Sequence, residues 1–166
     1  MESQFIIPFV QSVKNVLGTM LKTTVIFGKP RVKDAGQPVH GVSAIISYTG
    51  GVSGSVVLSL PSIVARELVK RFTGMDIGSD NPDFADAVGE LTNMIAGGAK
   101  AAFNRDDVAI GCPSVIVGAD HQIYQRKDHP IIIIPCQCDA GTFDTEVALK
   151  PAAQRTAQPR PVAAAV

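Results

Sequence analysis

Two consecutive glycines, Gly50-Gly51, stand between two runs of strand composition, residues 39–49 and 52–60, and this feature restricts the fold more than any other. Glycine adopts the positive φ that tight turns between antiparallel strands require, so β-rich runs around Gly-Gly read as a hairpin. A second hairpin comes late in the chain: residues 131–138, a turn at 139–142, and residues 143–149. Hairpins join antiparallel neighbours, so the sheet is expected to be antiparallel.

The remaining segments supply helices to cover it. Residues 3–20 fit an amphipathic helix with Phe5, Phe9, Val13, Val16, Leu17 and Met20 on one side; Pro8 is tolerable only near its start. Residues 24–32 look extended but are interrupted by Gly28 and Pro30, as in an edge strand. After Pro61, a short helix over 62–72 turns Ile63, Leu68 and Phe72 inward, and residues 74–82 form a polar loop. A long helix opens near Asp83, with Pro82 just ahead of it, and runs to about Asn104. Residues 108–110 and 115–117 read as strand, divided by Gly111-Cys112-Pro113. The class is α+β: an antiparallel sheet built from hairpins, with helices packed on it. Residues 1–150 form one domain, and residues 151–166, rich in Pro, Ala, Gln and Arg, form a disordered basic tail.

Composition excludes several functions. Aromatic residues are 5% of the chain and Trp is absent, which argues against a stacking platform for nucleic acid. Net charge is zero, yet Lys150, Arg155 and Arg160 sit in or beside the tail, leaving residues 1–149 with 12 basic and 15 acidic groups. A slightly acidic domain without a basic patch is a poor partner for nucleic acid. The apolar run from Phe5 to Val10 is too short to span a bilayer and lacks signal-peptide flanks, so the protein is expected in the cytoplasm without membrane association. The three cysteines, Cys112, Cys136 and Cys138, are an odd number in such a chain and read as buried structural thiols. His121 and His129 make no ligand-spaced set with them, so no metal or cofactor of the protein's own is expected. His40, His121 and His129 read as ordinary residues. Ser53, Ser55 and Ser59 lack a nucleophile elbow, and Gly50, Gly51 and Gly54 precede no helix that could cradle phosphate.

The long helix holds the candidate site. At 100° per residue, Asp86, Glu90, Asn93 and Gly97 fall on one narrow stripe. Phe84, Val88, Leu91, Ile95 and Ala102 fall nearly opposite, where a core would lie. The outer face is otherwise small, made of Gly89, Ala96 and Gly97, with Lys100 and Asn104 continuing its polar side. Adjacent glycines inside a helix, Gly97 and Gly98, cost about 1 kcal/mol each relative to alanine, and close approach of another surface would offset that. An acid and an amide on a helix are by themselves ordinary solvated surface. As chemistry, Asn neither gives nor takes a proton but can hold a water by two hydrogen bonds, while a Glu anion suits pairing with a cation. Such groups orient rather than transfer protons, which fits a phosphoryl transfer whose phosphate and metal arrive with a partner.

The pattern Asp86-x3-Glu90-x2-Asn93, the run Glu-Leu-Thr-Asn-Met-Ile-Ala-Gly-Gly-Ala-Lys, and Pro113 about twenty residues later resemble the CheC/CheX/FliY chemotaxis phosphatases. The single motif copy is similar to the CheX branch. The resemblance implies a CheC-like fold and hydrolysis of the aspartyl phosphate of a CheY-like receiver domain. It implies that Glu90 binds the receiver's lysine and that Asn93 positions the attacking water. Mg²⁺ is then expected on the receiver, with no cofactor on this chain. Asp86 is expected to support the first turn of the helix, by capping or fixing it, and Pro113 to shape the strand break behind it. Gly97 belongs to the small face that lets Asn93 approach the phosphorus. A second motif copy is missing: Arg66 and Val69 stand on the shorter helix where Glu and Asn would be, so one site per chain is expected. The resemblance also implies a homodimer, for which the hairpin over 131–149 offers an edge. A non-catalytic module of the same fold, binding a receiver or another signalling protein, is the alternative; it would have no need for the amide of Asn93.

Overall fold

Both hairpins form and share one sheet in the computed structural model, which describes residues 3–34, 36–37, 39–124 and 130–152. In chain order the elements are α1 (Ser3–Met20), β1 (Ile26–Phe27), β2 (Arg31–Val32), β3 (Val42–Gly50), β4 (Val52–Leu60), α2 (Ser62–Thr73), α3 (Pro82–Ala102), β5 (Val108–Ile110), β6 (Ser114–Val117), β7 (Ile132–Cys138) and β8 (Gly141–Pro151). The sheet runs β1-β7-β8-β4-β3-β5, with β2 also beside β7 and β6 also beside β3. Every pairing is antiparallel. Gly50, at φ 94°, turns the first hairpin, and the pair Cys138–Gly141 closes the second around a two-residue turn.

All three helices pack against one face of the sheet. That face is built by alternation: Val42, Ala44, Ile46 and Tyr48 from β3, Val52, Val56, Leu58 and Leu60 from β4, and Phe143, Val147 and Leu149 from β8. Phe5, Phe9, Val13, Val16 and Leu17 of α1 meet them, as do Val64, Ala65, Leu68 and Val69 of α2 and the inner side of α3. Each fully buried Phe or Leu contributes about 1.5–3 kcal/mol. Phe9 packs edge-to-face on Tyr48 and on Phe103, and those two rings lie tilted against each other, where α1, β3 and the end of α3 meet.

The opposite face carries a polar layer. Ser43, Ser59 and Glu146 are buried there. Lys33 bonds Glu146 at 2.6 Å, the His40 amide donates to the Ser59 hydroxyl, and His121 is held between the Gly118 carbonyl and the Ser43 hydroxyl at 2.8 Å each.

Several sequence expectations are corrected. Met20 is 43% exposed, because α1 ends there and buried Leu21 takes the inward place. Ile63 is 79% exposed, because the apolar stripe of α2 runs through Val64, Ala65, Leu68 and Val69, about 100° from it. Ala102 lies exposed where α3 has passed the core. The hairpin β7–β8 is no edge: β8 lies between β7 and β4, and the outer side of β7 pairs with β1 and β2. Nor does the strand stop at 149. It runs on to Pro151, which pairs with Val52, and the Ala152 amide bonds the Gly51 carbonyl. The tail from 153 and His129 lie outside the described residues. Among the described residues no helix is long and apolar enough to cross a membrane.

Candidate functional site

Local sequence fixes where α3 begins. The Asn81 side chain accepts a hydrogen bond from the Asp83 amide at 2.9 Å, Pro82 takes the first helical position, and Asp83 sits in the positive first turn. At the other end the Phe103 amide bonds the Lys100 carbonyl, and Asn104 reverses the chain at φ 51°. The helix therefore ends at Ala102. Asp86 is not its cap, since Asn81 holds that place; Asp86 lies exposed in the second turn.

The stripe emerges as expected, but narrower. Asp86 and Glu90 are exposed, Asn93 and Gly97 are half-buried, and Phe84, Val88, Leu91 and Ile95 face the core. Glu90 and Asn93 stand about 4.5 Å apart along the axis and about 60° apart around it, on the same side of the helix. Among the described residues, the side chains of Asp86, Glu90 and Asn93 have no hydrogen-bond or ion-pair partner. Gly89 and Ala96 do not belong to this outer face: both are buried on the flank of α3 that meets the sheet. A Cβ on Gly89 would lie 3.2 Å from Pro113 Cγ and 3.5 Å from Val115 Cγ2. Pro113, exposed on its other side, thus lays its ring on the helix one residue before Glu90.

The two central glycines have different reasons. Around Gly97 an added Cβ would meet nothing within 4 Å. At Gly98 it would collide with the Ser12 hydroxyl of α1. That hydroxyl donates to the Ile95 carbonyl at 2.7 Å, and the Tyr48 hydroxyl donates to the Ala96 carbonyl, also at 2.7 Å. Burial without a charged partner raises the Tyr48 phenol well above its ordinary value. Sequence reasoning missed both donors. Shallow depressions flank Gly97, one toward Gln11 and Asn15 of α1, the other toward Lys100, Asn104 and Arg105.

No competing constellation comes together elsewhere among the described residues. Among the described residues no three His, Cys, Asp or Glu side chains converge as for a metal ion. On α2, Arg66 pairs with Asp76 and Val69 is fully buried, so the shorter helix presents no second acid–amide stripe. Cys136 and Cys138 are buried, with the Cys136 thiol pushed up to about 12 by burial; Cys112, expected to be buried, is exposed beside Pro113. What the stripe on α3 offers is two exposed carboxylates, Asp86 and Glu90, and the half-buried amide of Asn93 beside the open Gly97, groups suited to pairing with a cation and to orienting a water.

Comparison with known proteins identifies the family and the fold. The family described as "Chemotaxis phosphatase CheX" matches residues 42–137. The CheY-P phosphatase CheX of Thermotoga maritima is 32% identical over 118 residues, covering 68% of this chain and 72% of that protein. A crystal structure of a chemotaxis protein CheX from Desulfovibrio desulfuricans is similar at TM-score 0.81 and 37% identity, covering 89% of this chain and 99% of that one. A CheC-like superfamily protein from Shewanella sp. PV-4 is similar at TM-score 0.81 and 31% identity, covering 90% and 99%. The fold is CheC-like.

Proposed function

The chain belongs to the CheX family of chemotaxis phosphatases, and from that we infer that it hydrolyses the aspartyl phosphate of a CheY-like receiver domain. The observation that carries the assignment of residues is the pair Glu90 and Asn93, side by side on α3, exposed or half-exposed and without partners among the described residues. Glu90 pairs with a lysine of the receiver and docks the two proteins. Asn93 enters the receiver's site and holds a water by its amide against the phosphorus. Water attacks, the bond to the aspartyl oxygen breaks, and inorganic phosphate leaves.

An amide suffices for this because of the leaving group. An aspartyl carboxylate has an ordinary pKa of about 3.9 and departs as an anion without a general acid. Positioning then carries the catalysis, and a displacement of about 1 Å costs about 100-fold. Mg²⁺ on the receiver supplies charge neutralisation of the phosphoryl group; this chain contributes orientation. Gly97 keeps the approach open, Pro113 seats the helix through Gly89, and Asp86 adds charge at the rim of the stripe. The catalytic domain takes in residues 1–150, with its last strand ending at Pro151, and the basic tail follows. The protein works in the cytoplasm as a homodimer, which would use an outer strand of the sheet rather than the β7–β8 hairpin.

Phosphate release from a phosphorylated receiver tests the reading. Wild type is expected to accelerate it, Asn93→Ala to lose about 100-fold in turnover, and Glu90→Ala chiefly to weaken binding. Full activity of Asn93→Ala would remove the amide from the mechanism, and unchanged affinity of Glu90→Ala would remove the lysine pairing.

A further inference from the structure

We propose that Ser12 and Tyr48 are positioning residues for Asn93, gripping α3 by two adjacent backbone carbonyls so that the helix cannot rotate about its axis. The inference rests on the catalytic reading of Asn93 given above. The Ser12 hydroxyl, from α1, donates to the Ile95 carbonyl; the Tyr48 hydroxyl, from β3, donates to the Ala96 carbonyl. Both bonds are buried and 2.7 Å long, and the donors come from different elements. Consecutive residues differ by 100° around a helix, so the two carbonyls are held from two directions. Turning the helix either way breaks at least one bond.

Their place along the helix matters as much as their direction. Ile95 and Ala96 lie between Asn93 and the pair Gly97-Gly98, where the helix is intrinsically weakest. Gly98 itself is the condition for the grip, because a side chain there would stand on the Ser12 hydroxyl. The Tyr48 ring is fixed in turn against Phe9 and Phe103, with centroids 6.0 and 5.9 Å away. A side chain reaches about 5–6 Å from the helix axis, so a rotation of about 10° moves its tip by about 1 Å. That is the displacement at which positioning catalysis loses about 100-fold. A lysine–carboxylate pair formed by the long Glu90 side chain tolerates the same shift.

The experiment compares Ser12→Ala, Tyr48→Phe and the double variant in phosphate release from a phosphorylated receiver. KM, turnover and thermal midpoint are read for each. Each single change is expected to lower turnover several-fold and the double change by 10- to 100-fold, with KM within about twofold of wild type. Thr92→Val is the control: Thr92 is buried in the same helix, but its hydroxyl bonds only the Val88 carbonyl of α3 itself. It is expected to lower the thermal midpoint and leave turnover unchanged. The Asn93 side-chain amide resonances of the free protein give a readout besides activity, expected to shift or split in the double variant and not in Thr92→Val. Unchanged turnover in the double variant overturns the proposal, and so does an equal loss in Thr92→Val. If the double variant does not fold, the single variants decide by the same criteria. Asn93→Ala separates the two levels: if it is fully active the catalytic reading fails, and if it is inactive while the double variant turns over normally, only the grip fails.

Discussion

Gly89 and Pro113 are packed against each other so closely that a Cβ on Gly89 would sit 3.2 Å from Pro113 Cγ, and even a methyl group there would need the ring to give by a few tenths of an ångström. The contact joins α3 to the break between β5 and β6, two short strands that both pair with β3. It explains how a proline twenty residues beyond the acid–amide pair comes to lie against the helix that carries the pair. Replacing Gly89 by Val adds bulk that must displace the proline ring or tilt the helix, so stability is expected to fall by about 1–3 kcal/mol. Phosphatase activity is expected to fall with it, because Glu90 is the next residue. Urea unfolding and phosphate release measure the two effects. Gly89→Val combined with Pro113→Ala should recover part of both.

How much of this was legible in the sequence depends on the range over which each feature is decided. The hairpins were, since Gly50-Gly51 and the alternation of β3 and β4 are local. So was the stripe of Asp86, Glu90 and Asn93, which needs only the helical angle. The small residues beside it were not. Gly89 and Gly97 look alike in sequence, yet Gly89 sits on the flank that meets Pro113 while Gly97 opens to solvent. Only the direction from which the sheet approaches tells them apart. Ser12 and Tyr48 reach α3 across 83 and 48 residues of chain, and no local pattern announces such contacts. The β7–β8 hairpin shows the same limit: its turn and most of its two strands are local, but their neighbours β4, β1 and β2 come from distant or short segments.

The thiols should separate cleanly. Cys112 is exposed, whereas Cys136 and Cys138 are buried. An aromatic disulfide reagent at neutral pH is expected to titrate one thiol rapidly in the folded protein and three in urea. Burial raises the Cys136 thiol from 9.0 to about 12. A pKa raised in the folded state means that the folded protein keeps its proton longer than the unfolded chain. The associated stability is therefore whole below pH 9 and is lost as pH climbs from 9 toward 12, with the raised Tyr48 phenol acting in the same sense. Denaturant midpoints measured across that range check the sign; a midpoint that rises would contradict it.

On the rear of the sheet, Lys33 and Glu146 form an ion pair whose side chains are only 7% and 3% exposed. Glu146 Oε2 has no partner among the described residues, so the lysine is what balances the buried carboxylate. Lys33→Met is expected to cost about 3–5 kcal/mol by leaving that charge unpaired. Adding Glu146→Leu should recover most of the loss, since a buried pair is worth little over apolar residues of similar volume. The pair lies on the face opposite the helices, so turnover per folded molecule should be unchanged in the double variant. Chemical denaturation and a phosphatase assay at the same temperature test both halves.

Gly97 gives the sharpest separation of stability from function. Its Cβ direction is empty to 4 Å within the protein, and it lies in the interior of α3 with ordinary helical dihedrals. Alanine there relieves the conformational cost of glycine and meets no neighbour, so Gly97→Ala should stabilise the protein by about 1 kcal/mol. The same methyl group would project from the stripe one turn beyond Asn93, where the receiver has to come close. Activity is therefore expected to fall as stability rises, chiefly through weaker binding, and Gly97→Leu should carry that loss further. Thermal melts read the first effect and receiver affinity the second. If Gly97→Ala were stabilised with affinity and turnover intact, the small residue at 97 would have no part in docking, and the open approach to Asn93 would have to lie on the Asp86 side of the stripe.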